Sequence, residues 1–321
     1  MMKAGIIGGA GYVGGELIRI LLHHPDVSLE FVQSTSHAGQ DLFVAHPDLA
    51  GEGNLVFSNE FKSDVDVIFL ALGHGESKKF LDRQTLPEHI HLIDMSQDYR
   101  INCEAQGFVY GLSESNNTKI QSAQHIANPG CFATAILLAL IPLAEMNLLT
   151  NQIHVSAITG STGAGQKHSD TSHFSWRYSN ISVYKAFEHQ HLDEINHLLG
   201  QLNKVELPEI QFLPFRGNFT RGILSANYLK CSKSLSEIED IYNNYFESSP
   251  FVFLTKTNPD IKQVVNTNKC LLYLEKHVDT LLIISVIDNL IKGAAGQAIQ
   301  NMNLMFGLDE ASGLQLKASN F

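Results

Sequence analysis

The sequence predicts an α/β protein in two parts: a doubly wound parallel sheet, then an α+β domain with a mostly antiparallel sheet. Three observations carry this expectation. Short apolar runs alternate with helical stretches in the first third, and a glycine cluster joins the first run to the first helix. After about Asn128 the apolar runs become close, hairpin-like neighbours. The length of 321 residues also exceeds one comfortable hydrophobic core.

Taken in order, Ala4–Ile7 reads as a strand, and Tyr12–Leu22 carries apolar residues at helical spacing until His24-Pro25 ends it. Leu29–Gln33, Val65–Leu70 and His91–Met95 are further strands, the second ending at Gly73-His74-Gly75. Strands separated by helices imply a parallel sheet. Phe132–Ala144 then reads as one buried helix, and the alternating strand Gln152–Ile158 leads into the glycine-rich Gly160–Gly165. Ile210–Leu213, Gly222–Leu229, Cys270–Glu275 and Thr280–Ile287 are strands, with helix Leu235–Phe246 among them. Ser236 and Glu239 have capping-box spacing at its start. Gly293–Met305 reads as a closing helix. Internal repeats and low-complexity stretches are absent.

An apolar fraction of 44% and a charged fraction of 17% fit an ordinary soluble globular protein. A net charge of -11 argues against nucleic acid or an acidic membrane as the main partner. It leaves small anionic ligands open, since glycine loops and a few local Arg or Lys residues bind phosphate. Met1-Met2-Lys3 runs into the first strand with no cleavage site, and the longest apolar run, Phe132–Ala144, is broken by Pro142. Cys103, Cys131, Cys231 and Cys270 lie far apart with no CxxC pair. Free thiols in a reducing cytoplasm are therefore expected, with no membrane and no nucleic-acid partner.

Gly8, Gly11 and Gly14 stand three apart around Tyr12 and Val13, between the first strand and first helix. Such glycines permit a tight turn and let backbone N–H groups approach a pyrophosphate at the helix N-terminus. A merely tight turn is the plainer alternative. The second strand ends Gln33-Ser34-Thr35-Ser36-His37, without the carboxylate that would bind a ribose 2′-hydroxyl and repel a 2′-phosphate. NADP(H) is thus expected over NAD(H), with Ser34 and Ser36 as contacts, although these residues also suit a simple polar loop.

Cys131 follows Asn128-Pro129-Gly130 and opens the apolar helix. A thiol in a first helical turn meets the positive end of the dipole and ionises more easily, and the thiolate is what attacks an acyl carbon. The other three cysteines are expected to be buried and inert. His189-Gln190-His191-Leu192-Asp193-Glu194 opens another helix, where a histidine oriented by a carboxylate suits acid–base work. Solvated surface histidines are the alternative. A metal site is not expected, because no other ligand pair at metal spacing accompanies them. Arg216 and Arg221 flank glycines and are candidate anion clamps.

These segments together resemble the N-acetyl-gamma-glutamyl-phosphate reductases of arginine biosynthesis. The matching stretches run nearly end to end: Gly8–Gly14, Ala71–Gly75, Asp94–Arg100, Tyr110–Leu112, Ala127–Phe132, Gly160–Gly165, Tyr184–Glu194, Arg221–Ile223 and Asp288–Ala298. The resemblance implies a Rossmann-type NADP-binding domain over 1–128 with 288–321. It implies a catalytic, substrate and oligomerisation domain over 129–287, in a homodimer or homotetramer. Cys131 would be the nucleophile and His189 the acid/base, with Glu194 supporting the imidazole. Gly8, Gly11 and Gly14 would hold the pyrophosphate with Gly73 nearby, and Ser161, Gly163 and Asn289 would lie toward the nicotinamide. Asn128, Arg216 and Arg221 are the expected substrate contacts.

The chemistry so implied is reduction of an acyl phosphate to an aldehyde through a thioester on Cys131. Gln190 and Asp193 stand where such reductases often have Arg and Pro, and Ser113 where they commonly have Pro. The acyl group expected is acetyl, with succinyl as the alternative. Aspartate-semialdehyde dehydrogenase shares the fold and thioester logic, and a non-catalytic NADP-binding redox sensor is the alternative outside enzymes.

Overall fold

The computed structural model describes residues 1–320. By its internal contacts the chain forms two units: Met1–Gly130 with Ala294–Leu316, and Cys131–Gly293 with the tail from Lys317.

The first unit runs β1 (Met2–Ile7), α1 (Tyr12–Leu22), β2 (Val27–Gln33), β3 (Phe57–Ser58), β4 (Val67–Leu70), α2 (Glu76–Arg83) and β5 (His91–Asp94). It continues through β6 (Val109–Tyr110), α3 (Ser113–Gln121) and β7 (His125–Ala127). All seven strands are parallel, in the order β3-β2-β1-β4-β5-β7-β6. Val67, Ile68, Phe69 and Leu70 have no exposed surface. A sheet covered on both faces produces such an unbroken apolar run rather than alternation. Strand order reverses between β1 and β4, and ligands of open α/β sheets bind outside the strand ends at such a point.

The second unit begins with α4 (Cys131–Glu145), β8 (Ile153–Thr159), α5 (Phe174–Arg177), β9 (Ser182–Val183), α6 (His191–Leu202) and β10 (Ile210–Arg216). β11 (Ile223–Lys230), α7 (Leu235–Phe246), β12 (Val252–Leu254), β13 (Cys270–His277) and β14 (Thr280–Ile287) follow. The sheet is mixed, in the order β12-β13-β14-β11-β8-β10-β9. Four of its six pairings are antiparallel; β8–β10 and β12–β13 are parallel. Burial alternates along β8, with Ile153, Val155, Ala157 and Thr159 facing inward, as a sheet with one covered face requires. α4 is buried from Phe132 to Ala144 and packs on α6, α7, β11 and β14, which explains its all-round apolar sequence.

One local expectation is corrected. The box at the start of α7 is Ser234 with Glu237, not Ser236 with Glu239. Ser234 has the extended backbone an N-cap requires (φ -67°, ψ 159°), whereas Ser236 already lies inside the helix. Glu237 N–H donates to Ser234 Oγ at 3.3 Å, and Ser234 N–H donates back to Glu237 Oε2 at 2.8 Å.

After β14 the chain makes a π-helical turn, Ile291–Ala295, and enters α8 (Gly296–Met305), every residue of which is buried. In the first unit α8 packs on α1 and α3. No described helix is long and apolar enough to cross a membrane.

The two readings of the α7 cap are separable by stability. Ser234→Ala should cost about 1 kcal/mol, whereas Ser236→Ala should stay within about 0.5 kcal/mol of the parent. Urea unfolding of both variants checks this; equal losses would restore the Ser236 cap.

Candidate active site

In the first unit, the turn after β1 is built around Gly8, whose φ is +84°. A Cβ there would fall 2.7 Å from the Ala71 carbonyl oxygen, so only glycine fits. The N–H groups of Gly8 and Gly9 both donate to the Gln33 carbonyl at 3.0 Å, which pins the turn to the end of β2. The donors left for a ligand are the first-turn N–H groups of α1, which no side chain caps. Around Gly11 a Cβ would meet nothing within 4 Å. Gly14 does different work: its Cα packs on the backbone of Gly9, seating the helix beneath the turn. Tyr12 is half-exposed and Val13 partly buried.

A cavity of about 580 Å³ opens there, lined by Gly8, Gly11, Gln33–Ser36 and Ala71–Gly73. Ser34 Oγ lies 3.3 Å from Ser36 Oγ, which in turn lies 2.9 Å from His37 Nδ1. Across from this neutral loop α2 contributes Glu76, Lys79 and Arg83. Lys79 pairs with Glu76 at 2.7 Å, and Arg83 has no ion pair among the described residues. Sequence reasoning missed both cations because they come from a different helix, far along the chain from Gln33–His37.

In the second unit Cys131 is the first residue of α4, at the positive end of a 15-residue helix. It is the one partly exposed cysteine; Cys103, Cys231 and Cys270 are buried. Against it lies Gly293, where a Cβ would fall 2.8 Å from Cys131 Cβ. Gly293 N–H donates to the Asp288 carbonyl at 2.9 Å, the π-type bond that carries it there.

His189 is buried at 4% exposure. Phe132, Tyr184 and Phe212 meet its ring edge-to-face at 5.4, 5.7 and 5.5 Å. His191 N–H donates to His189 Nδ1 at 3.2 Å, so the neutral ring carries its proton on Nε2. Burial pushes the imidazole down to about 4, with Lys185 and Arg216 adding to the shift. Glu194 is buried with Oε1 3.8 Å from His191 Nε2, and the His191 ring stands 4.6 Å from that of His189. His191, which sequence analysis left without a task, thus links the carboxylate to the catalytic candidate. Arg216 lies over Tyr184, its guanidinium carbon 4.5 Å from the ring centre. The Tyr184 hydroxyl is pushed up to about 12, mainly by burial.

Four other expected ligand contacts are engaged within their own units. Arg221 forks onto the buried carboxylate of Asp288, Nε at 3.1 Å and Nη2 at 3.2 Å. Asn128 Nδ2 donates to the Ala294 carbonyl, and its Oδ1 accepts from Asn301. Asn289 accepts from Gly222 N–H at 2.7 Å and donates to Thr162 Oγ1 at 3.0 Å, tethering the Ser161–Ala164 turn that includes Gly163. Ser161 N–H donates to Phe219 O. No group of three His, Cys, Asp or Glu side chains suited to a metal ion occurs among the described residues.

Residues 3–123 match the family described as semialdehyde dehydrogenase, NAD binding domain, and 131–289 the semialdehyde dehydrogenase dimerisation domain. Two N-acetyl-gamma-glutamyl-phosphate reductases match over the whole of both chains: 56% identity for that of Parabacteroides distasonis and 53% for that of Christiangramia forsetii. The chain belongs to the N-acetyl-gamma-glutamyl-phosphate reductase family. Among solved structures, aspartate semialdehyde dehydrogenase II from Vibrio cholerae is similar at a TM-score of 0.75 and 15% identity, covering 96% of this chain and 98% of that one. The Candida albicans aspartate semialdehyde dehydrogenase with NADP has a TM-score of 0.70 at 15% identity, covering 95% and 99%. At such identity these neighbours speak for the fold of the reductase family, not for its substrate.

The depressed His189 predicts an acid-sensitive fold. The folded ring takes up its proton near 4 and the unfolded ring near 6.5, so between them the unfolded chain holds more protons. The stabilising contribution is present above about pH 6.5 and is lost as pH falls through about 4. His189→Asn should flatten this slope in urea unfolding across that window; an unchanged slope would contradict a buried neutral ring.

Proposed function

We propose that this chain reduces an N-acyl-γ-glutamyl phosphate to the γ-semialdehyde and phosphate, using NADPH, in arginine biosynthesis. The observation that carries the reading is Cys131, partly exposed at the head of α4, in a unit that also holds a buried, neutral His189. Full-length identity of 56% to a reductase of this name supports it. Cys131 Sγ attacks the acyl carbon; the C–S bond forms, and phosphate leaves with the electron pair of the C–O bond. The Gly8–Gly11 turn would hold a dinucleotide, which would supply hydride for reduction of the thioester. His189 Nε2–H donates to the substrate oxygen as negative charge gathers there, and the Cys131 thiolate departs as the aldehyde forms. Glu194, through His191, holds the imidazole's surroundings.

The cradle fits a dinucleotide: Gly8 admits no Cβ, and Gly11 leaves space beside uncapped N–H groups. For NADP(H) over NAD(H), the supporting features are the neutral Ser34–Ser36 loop and the cations Lys79 and Arg83 opposite it. The dimerisation-domain match supports a homodimer or homotetramer, and four cysteines that form no disulfide suit the cytoplasm. Aspartate semialdehyde dehydrogenases share the fold, and turnover of aspartate semialdehyde rather than an N-acyl-glutamate semialdehyde would select that reading.

Without NADPH the reaction should stall as a thioester. Mixing the protein with N-acetyl- or N-succinyl-glutamyl phosphate should add one acyl group to the Cys131 peptide, and the adduct mass reports which acyl group is preferred. Cys131→Ala should gain none. Phosphate release from an unmodified Cys131 points to direct hydrolysis and removes the covalent mechanism.

The cofactor reading is tested separately. Arg83→Gln should weaken NADP(H) binding about 10-fold, the range for one charge-assisted hydrogen bond, with NAD(H) nearly unaffected. Equal turnover of the parent protein with both dinucleotides would overturn the preference.

A further inference from the structure

Arg177, the last residue of α5, is only 8% exposed. Its Nη1 donates to the Arg216 carbonyl at 2.9 Å and its Nη2 to the Thr171 carbonyl at 3.2 Å, while its Nε is buried without a partner. Arg216, at the end of β10, also has a buried, unpartnered Nε. Neither arginine has a carboxylate partner among the described residues. Carbonyl oxygens hold a guanidinium in place without cancelling its charge. A protein with net charge -11 thus keeps two neighbouring arginines uncompensated and largely out of water, which is unfavourable until an anion joins them. The segment that follows Arg177 is also strained: Ser179, Lys185 and Phe187 have φ of 51°, 46° and 64°. Non-glycine residues in that region persist where the surroundings enforce them, commonly at ligand sites.

We infer that Arg177 and Arg216 form a carboxylate site for the non-reacting end of the substrate, an inference that rests on the function proposed above. Their order outward from Cys131 decides which anion is held. The Tyr184 ring stands 5.7 Å from that of His189, and the Arg216 guanidinium carbon lies 4.5 Å over the Tyr184 ring. Arg177 lies one step further out, its Nη1 on the Arg216 carbonyl. Phosphate leaves from the carbon bound to Cys131, so an anion at Arg177 belongs to the part of the substrate that does not react. A planar arginine fork also matches a planar carboxylate. Two carboxylates qualify: the α-carboxylate of the glutamyl portion, or one at the far end of the N-acyl group.

The reverse reaction separates the anions, because phosphate is then its own co-substrate. Arg177→Gln should be assayed with NADP, inorganic phosphate and three aldehydes: N-acetyl-glutamate γ-semialdehyde, its α-amide, and N-succinyl-glutamate γ-semialdehyde. The variant should lose on the order of 10²-fold in kcat/KM through the aldehyde KM, as expected on truncating one partner of a buried charge pair. The phosphate KM should not move. If the loss vanishes with the α-amide, the α-carboxylate is the ligand; if it appears only with the N-succinyl aldehyde, the acyl carboxylate is. Either result supports the site. Equal losses with all three aldehydes, or a raised phosphate KM, overturn it. Arg177→Lys, which keeps the charge but not the fork, should show the same split more weakly and covers a failure of the glutamine variant to fold. A parent protein inactive on every acyl semialdehyde would count against the proposed function. An active parent whose variants show no split counts against the arginine site alone.

Discussion

Asp288, at the end of β14, has no exposed surface and gathers Arg221 Nε and Nη2 with the N–H groups of Asn266, Leu290 and Ile291. Its own carbonyl accepts the Gly293 N–H that closes the π turn. Gly293 is thereby brought against Cys131, so the position of the sulfur depends on a turn whose geometry one carboxylate fixes. Removing that carboxylate would strand the Arg221 charge, a loss of about 3–5 kcal/mol for a broken buried pair. Arg221 is therefore part of the scaffold behind Cys131.

The surroundings of His189 combine dryness with positive charge. Phe132, Tyr184 and Phe212 exclude water from its ring, and Lys185 and Arg216 oppose an imidazolium. The ring is kept neutral with its proton on Nε2, a weak acid held as a hydrogen-bond donor. Burial does most to keep it neutral, and the two cations add to that.

The sequence revealed elements where several local signals coincided. Tyr12–Leu22 was legible to the residue because glycines precede it and His24-Pro25 follows. Leu235–Phe246 was legible as a helix, but its cap was not, since Ser-x-x-Glu occurs there in two registers and only backbone angles choose between them. The two-residue strands Phe57–Ser58, Val109–Tyr110 and Ser182–Val183 are too short for any period to register. Among the candidate site residues, Cys131 and His189 stand out in the sequence because their chemistry is rare and their helix starts are marked. Arg83, Arg177 and His191 do not, because their neighbours in space are distant or unremarked in sequence. Nothing in the sequence shows the buried partners of Arg221 and Asn128, which only the fold supplies.

α8 is held within the first unit largely by amides. Asn301 donates to the Gly111 carbonyl and to Asn128 Oδ1, and Gln297 donates to Ser113 Oγ and toward Asn301 Oδ1. Asn128, Gln297 and Asn301 have no exposed surface, and Ser113 almost none. None of these groups ionises in the range where proteins fold, and neutral hydrogen bonds away from water are not screened by ions. The attachment of α8 to its sheet should therefore be indifferent to ionic strength, whatever salt does to the charged ligands that the protein meets.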